Sequence, residues 1–104
     1  MPAPLVTLTA VASLLIGHHV PVKKVPPPWV GPWPVGCVGL ATWPPERIAI
    51  RYPIPTVQRR WMYVVAFAHE ILHIEHKTWP HWKVYREAPR YAYTVRRTLR
   101  RLSR

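Results

Sequence analysis

The strongest constraint on the fold of this chain is an uncharged stretch, residues 61–68, that leads directly into the pentapeptide His-Glu-Ile-Leu-His at residues 69–73. A helix that is apolar on all sides has to be buried, so this stretch predicts a helix inside the protein. Residues four apart lie on one face of a helix, so both histidines of the pentapeptide point the same way. The rest of the chain therefore has to pack around this helix and leave a cleft beside the two imidazoles.

The pentapeptide has the pattern H-E-x-x-H, which is typical of a metal site on a helix. His69 and His73 are placed to bind one divalent ion, and Zn2+ is the expected metal. Glu70 can take a proton from a metal-bound water, whose pKa zinc lowers from about 15.7 to about 7. The pattern thus predicts hydrolysis of a peptide or similar amide bond. The alternative is a helix that carries two surface histidines by chance, because three fixed positions are a short pattern.

Histidine is concentrated around this motif. Four of the six histidines lie at positions 69, 73, 76 and 81. A buried cluster of imidazoles needs a polar partner, and a metal ion is a suitable one. The distribution of histidine therefore favours the metal site over chance.

Composition predicts one domain spanning residues 1–104, able to form a core because 49% of the chain is hydrophobic. Cys37 is the single cysteine and cannot form an internal disulfide, which favours a reducing, cytoplasmic location. The chain is also strongly basic, with a formal net charge of +11. Such a charge favours an acidic partner, nucleic acid among them.

The apolar N-terminal stretch predicts a helix that ends near Gly17. It would face the core through Leu5, Leu8, Val11, Leu15 and Ile16. A signal peptide is the alternative, but no Lys or Arg precedes Lys23 to form a positive n-region. The stretch is also too short to span a bilayer, so no membrane partner is expected.

The middle of the chain predicts a connector, a hairpin and a helix start. Residues 21–34 are rich in proline and tryptophan and predict an extended connector, partly polyproline II. Residues 38–52 predict a β-hairpin whose second strand alternates, with Ile48, Ile50 and Tyr52 on one face. Thr56 is the expected N-cap of the H-E-x-x-H helix.

This layout resembles the minimal zincin domain of metallopeptidases, over about residues 35–88. It is similar to the SprT/WLM-type, YgjP-like and ImmA/IrrE-type groups and to the minigluzincins. The resemblance implies an α+β fold with an N-terminal helix, a β-hairpin or small sheet, a buried H-E-x-x-H helix and C-terminal helices. In these families an edge strand before the motif helix holds the substrate in extended form. The resemblance therefore implies that the 38–52 hairpin pairs with a peptide or protein substrate by strand addition.

A catalytic zinc site needs a third protein ligand. Residues 81–85 resemble the H-x-x-x-[FWY] element that supplies a third histidine in SprT/WLM-like and YgjP-like enzymes, which implies His81 as that ligand. Glu87 is the alternative, in the manner of gluzincins, and Glu75 and His76 rank behind both. His76 would lie about 10 Å along the helix axis from the first motif histidine, too far for one ion.

Three tyrosines are candidates for stabilising the oxyanion that forms during hydrolysis. They are Tyr85, Tyr91 and Tyr93.

Residues 90–104 predict a basic C-terminal helix. Its apolar positions recur at helical spacing, at Tyr91, Val95, Leu99 and Leu102. Its arginines lie elsewhere around the helix and are candidates for binding nucleic acid or an acidic protein: Arg96, Arg97, Arg100, Arg101 and Arg104. A solvated surface without a partner is the simpler interpretation.

Two functions follow from these patterns. The first is a small zinc-dependent peptidase with Glu70 as general base. The second is a non-enzymatic protein in which the metal only stabilises a scaffold and the basic helix binds its partner. The presence of Glu70 favours the enzyme, because a purely structural metal site does not need that carboxylate.

Overall fold

Three helices and a three-stranded sheet make up the part of the chain that the computed structural model describes, residues 5–24, 39–43, 45–50 and 60–102. In chain order the elements are α1 (Leu5–Ile16), β1 (Val22–Lys24), β2 (Gly39–Thr42), β3 (Arg47–Ile50), α2 (Trp61–Glu75) and α3 (His81–Leu102). The predicted α+β class is confirmed. The predictions for residues 25–34, Tyr52 and Arg104 concern positions outside the described residues. The prediction of Thr56 as N-cap of the H-E-x-x-H helix is wrong, because that helix begins only at Trp61 and has Arg60 as its N-cap residue.

The predicted N-terminal helix is confirmed as α1. Leu8, Val11 and Ala12 are fully buried in the core. The helix ends where Gly17 adopts a φ of 102°, a left-handed conformation that glycine takes without strain.

Two hydroxyl groups of α1 fix the path of the chain after the helix. The backbone N–H of Val20 donates to Ser13 Oγ at 2.9 Å, and that of Val22 donates to Thr9 Oγ1 at 3.1 Å. These two hydrogen bonds hold the start of β1 against α1.

The sheet has the order β1-β3-β2. The predicted hairpin is confirmed, since β2 and β3 are antiparallel with Gly39 opposite Ile50 and Thr42 opposite Arg47. The predicted connector is wrong over residues 22–24, which form β1 and pair in parallel with β3. A strand of three residues next to a proline-rich run is too short to show a period of two, and its partner is distant in sequence.

The motif helix α2 begins at Trp61, and Arg60 is the N-cap residue in an extended conformation. Its buried residues are Val64, Phe67, Ala68, Glu70, Ile71, Leu72 and Ile74. The expectation of a helix buried on all sides is wrong for the first turn, where Met62 is 65% exposed. The core covers only one side of the helix there, while the H-E-x-x-H turns lie deeper.

The C-terminal region is a single helix, α3, and not the separate helices that were predicted. Pro89 lies inside it on the exposed side, where water can satisfy the carbonyl that loses its hydrogen-bond donor. The buried side carries Val84, Ala88, Ala92, Val95, Thr98 and Leu99. None of the described helices combines the length and the apolar character needed to cross a bilayer.

Candidate metal centre

Three imidazoles converge between α2 and the start of α3. Nε2 of His69 lies 3.0 Å from Nε2 of His73 and 3.0 Å from Nε2 of His81. The potential ligand atoms of the three residues all lie within 4.8 Å of one another. They form a compact group of nitrogens from two helices.

The local sequence explains how the third histidine reaches the other two. His69 and His73 are one helical turn apart on α2 and share a face. The helix ends at His76, whose backbone N–H donates to the carbonyl of Leu72 at 2.8 Å. Pro80 then begins the next helix, since its carbonyl accepts the N–H of Lys83 at 3.0 Å. The chain turns within these few residues and returns His81 to the motif histidines.

The electrostatics of the site favour neutral imidazoles at His69 and His73. Burial, together with the charges of His73 and His81, lowers the pKa of His69 to about 4. Burial and His81 also lower the pKa of His73. A neutral imidazole has a free nitrogen lone pair, which is the form that binds a metal.

The three nitrogens fit a divalent ion with open coordination positions. Zinc–nitrogen bonds of about 2.0–2.1 Å in tetrahedral geometry place ligand nitrogens about 3.3 Å apart. The Nε2 atoms of His73 and His81 each lie 3.0 Å from that of His69, which is close to that value. One shared proton can join two of these nitrogens, but it leaves the third without a partner. His69, His73 and His81 are therefore the residues that would hold a metal here.

Glu70 follows His69 on α2, and its side chain is buried against Gly39 of the edge strand β2. Only 8% of the surface of Glu70 is exposed to solvent. This burial raises the pKa of its carboxyl group to about 8. Gly39 of β2 passes so close that an added Cβ would lie 2.9 Å from Glu70 Cγ and 3.2 Å from Oε2. The missing side chain of Gly39 thus makes the room in which the carboxyl group sits.

A Gly39→Ala substitution is expected to destabilise the fold by about 1–3 kcal/mol, because the new methyl group overlaps Glu70. Urea denaturation measures the free energy of unfolding. Glu70→Ala removes the overlapping atoms, so the same glycine change in that background should cost clearly less. Equal costs in the two backgrounds would mean that Gly39 does not act through Glu70.

Two exposed aromatic rings border the histidine group. Trp43, 41% exposed, stacks on His73 with ring centroids 6.4 Å apart. Tyr85, 66% exposed, lies 5.0 Å from the ring of His69 and 5.1 Å from that of His81. The sequence predicted Tyr85 at the site but not Trp43. The sequence feature that could have indicated Trp43 is its position in the first half of the predicted 38–52 hairpin, which was expected to border the site.

The other predicted site residues lie elsewhere. Glu87 and Tyr91 line a separate cavity of about 270 Å³ together with Glu75 and His76. Burial and Glu75 raise the pKa of Tyr91 to about 12 in that position. Tyr93 contacts Trp61 with ring centroids 4.7 Å apart and an interplanar angle of 51°. The structure therefore groups His81 and Tyr85 with the motif and does not bring Glu87, Tyr91 or Tyr93 to it.

No family model matches the sequence. No curated protein and no solved structure is significantly similar to it either. The likeness to minimal zincins therefore depends on the H-E-x-x-H motif and on the layout of the elements.

Proposed function

We propose that this protein is a small zinc-dependent peptidase of the zincin type. The observation that supports it most is the convergence of His69, His73 and His81. The buried Glu70 directly follows the first of these histidines in the chain. A three-histidine set with open positions is typical of a catalytic zinc site. A structural site would need no carboxyl group next to its first ligand.

The proposed reaction is hydrolysis of a peptide bond. A bound zinc ion would activate water and polarise the substrate carbonyl. Glu70 accepts the proton of the attacking water and delivers it to the leaving amine. The pKa of about 8 that burial gives Glu70 suits a group that takes up and releases a proton near neutral pH. Among the tyrosines that the structure describes, Tyr85 contacts the histidine group. It is therefore the candidate hydrogen-bond donor to the oxyanion.

The substrate is proposed to bind as an extended strand along β2. This strand lies at the edge of the three-stranded sheet, so its outer side has no partner strand among the described residues. An added strand would hydrogen-bond to β2 and pass the histidines. Trp43 and Tyr85 are exposed on two sides of the histidine group, which favours apolar side chains next to the cleaved bond.

Cleavage of an unfolded protein by the zinc-loaded chain tests this proposal. Mass spectrometry of the products should show cuts that a chelator prevents and added zinc restores. The His69→Ala protein, purified in the same way, should show none, which excludes a contaminating protease. If the zinc-loaded protein cleaves no unfolded or peptide substrate, the metal-stabilised binding protein replaces the peptidase as the better interpretation.

A further inference from the structure

A second functional surface lies on α3, away from the histidines. We call it the arginine face; it is formed by Tyr93, Arg96, Arg97, Arg100 and Arg101. These side chains line a concave space of about 470 Å³. Arg97 lies about 24 Å along the helix axis from His81, at 1.5 Å per residue. The arginine face is therefore distinct from the candidate metal centre.

No acidic side chain of the protein neutralises this face. The chain has four acidic residues in all, and each has another environment. Glu46 binds Lys77 and His18. Glu70 is buried against Gly39. Glu75 faces His76 at 3.4 Å, and Glu87 binds Arg86 at 3.0 Å. Four guanidinium groups thus share one concavity without a carboxylate side chain, which strongly favours an anion from outside the chain.

One of these arginines is held in place with an unused donor. The guanidinium of Arg96 lies over the ring of Trp61, 5.4 Å from its centroid. Its Nε is buried and has no hydrogen-bond partner in the described part of the chain. The contact with Trp61 orients this guanidinium beside the concavity that it lines.

An aromatic ring lies among the positive charges. The ring of Tyr93 contacts that of Trp61 at an interplanar angle of 51° and is still 65% exposed. Bases of single-stranded nucleic acid stack on such rings, while the bases of a duplex are already stacked and paired. An acidic peptide would use the charges but would have no use for the ring.

We propose that the arginine face binds single-stranded nucleic acid. The guanidinium groups contact backbone phosphates, for which the planar fork of arginine suits two parallel hydrogen bonds. Tyr93 provides a surface on which one base stacks. Binding is set mainly by charge and stacking and is therefore largely independent of sequence.

Fluorescence anisotropy with a labelled oligothymidylate tests this proposal on the full chain. The Arg97→Gln/Arg101→Gln variant should bind at least about tenfold more weakly, and the slope of log K against log salt should fall by about 1.4, or 0.7 per lost phosphate contact. Tyr93→Leu should also bind about tenfold more weakly, with an unchanged slope. All variants are first checked for folding by circular dichroism; if the double variant does not fold, Arg101→Gln alone should lower the slope by about 0.7.

The matched control removes two charges from the same helix outside the face, at Lys83 and Arg86. Lys83→Gln/Arg86→Gln should bind like the wild type, and an equal loss would show that net charge alone drives binding. A duplex that binds as tightly as the single strand would overturn the role of Tyr93. Equal binding of polyglutamate at the same charge would show an acidic protein as the partner instead. The assay needs no hydrolysis, so it holds whether or not the peptidase proposal fails.

Discussion

His81→Ala is expected to weaken zinc binding by more than about 100-fold, while His76→Ala changes it by less than about threefold. Loss of a residue that hydrogen-bonds to a metal ligand typically costs about 10- to 100-fold in metal affinity, and loss of a direct ligand costs more. The Nε2 atom of His81 lies 3.0 Å from that of His69. His76 instead stacks on Trp79 with ring centroids 3.8 Å apart and lines a different cavity.

Competition with a chromophoric chelator measures this difference. His69→Ala should weaken zinc binding at least as much as His81→Ala. The Nε2 atom of His69 lies 3.0 Å from those of both other histidines, so it is central to the proposed ligand set. Glu87→Ala serves as a second control, since Glu87 lines the other cavity and pairs with Arg86. If the Glu87 variant loses the metal and the His81 variant retains it, the ligand set is wrong.

Metal binding should also appear in the stability of the protein. A metal that binds only the folded state raises the free energy of unfolding in proportion to the logarithm of its free concentration. Added zinc should therefore raise the melting temperature of the wild type and of His76→Ala. The His81→Ala protein should show little rise, even where its melting temperature without zinc equals that of the wild type.

Local patterns were sufficient to predict much of this fold. The α1 helix and the β2–β3 hairpin show their own periods, and each of these predictions is confirmed. The strand β1 was missed because its three residues gain their conformation from β3, which lies far away in sequence. The predicted C-terminal helices are a single helix, which tolerates Pro89 because this residue lies on the exposed side. The pattern alone did not reveal that position.

In the candidate site, too, the local features could be predicted and the contacts between distant elements could not. The spacing of His69 and His73 is a property of one helix, so their common orientation could be predicted from the sequence. The position of His81 depends on the turn before α3, and a family resemblance suggested it. Contacts between elements had no signal of their own. The approach of Gly39 to Glu70 and the stacking of Trp43 on a motif histidine both required the structure.

Glu70→Gln is expected to reduce peptide hydrolysis by at least about 100-fold, because a general base contributes about 10²- to 10⁴-fold to the rate. Glutamine keeps the shape of the side chain, so it fits the space that Gly39 leaves. It cannot take the proton of the attacking water. Zinc content and the melting temperature should stay close to those of the wild type, since a neutral amide is easier to bury than a carboxylate.

The matched control is Glu75→Gln, which makes the same chemical change on the same helix at a residue that lines the other cavity. It should keep full activity. Equal activity of the Glu70→Gln and wild-type proteins, with zinc bound in both, would exclude Glu70 as the base. Loss of zinc from the Glu70→Gln protein would instead show that this carboxyl group supports the metal and does not only move a proton. The two measurements together separate catalysis from metal binding, because the substitution leaves all three histidines in place.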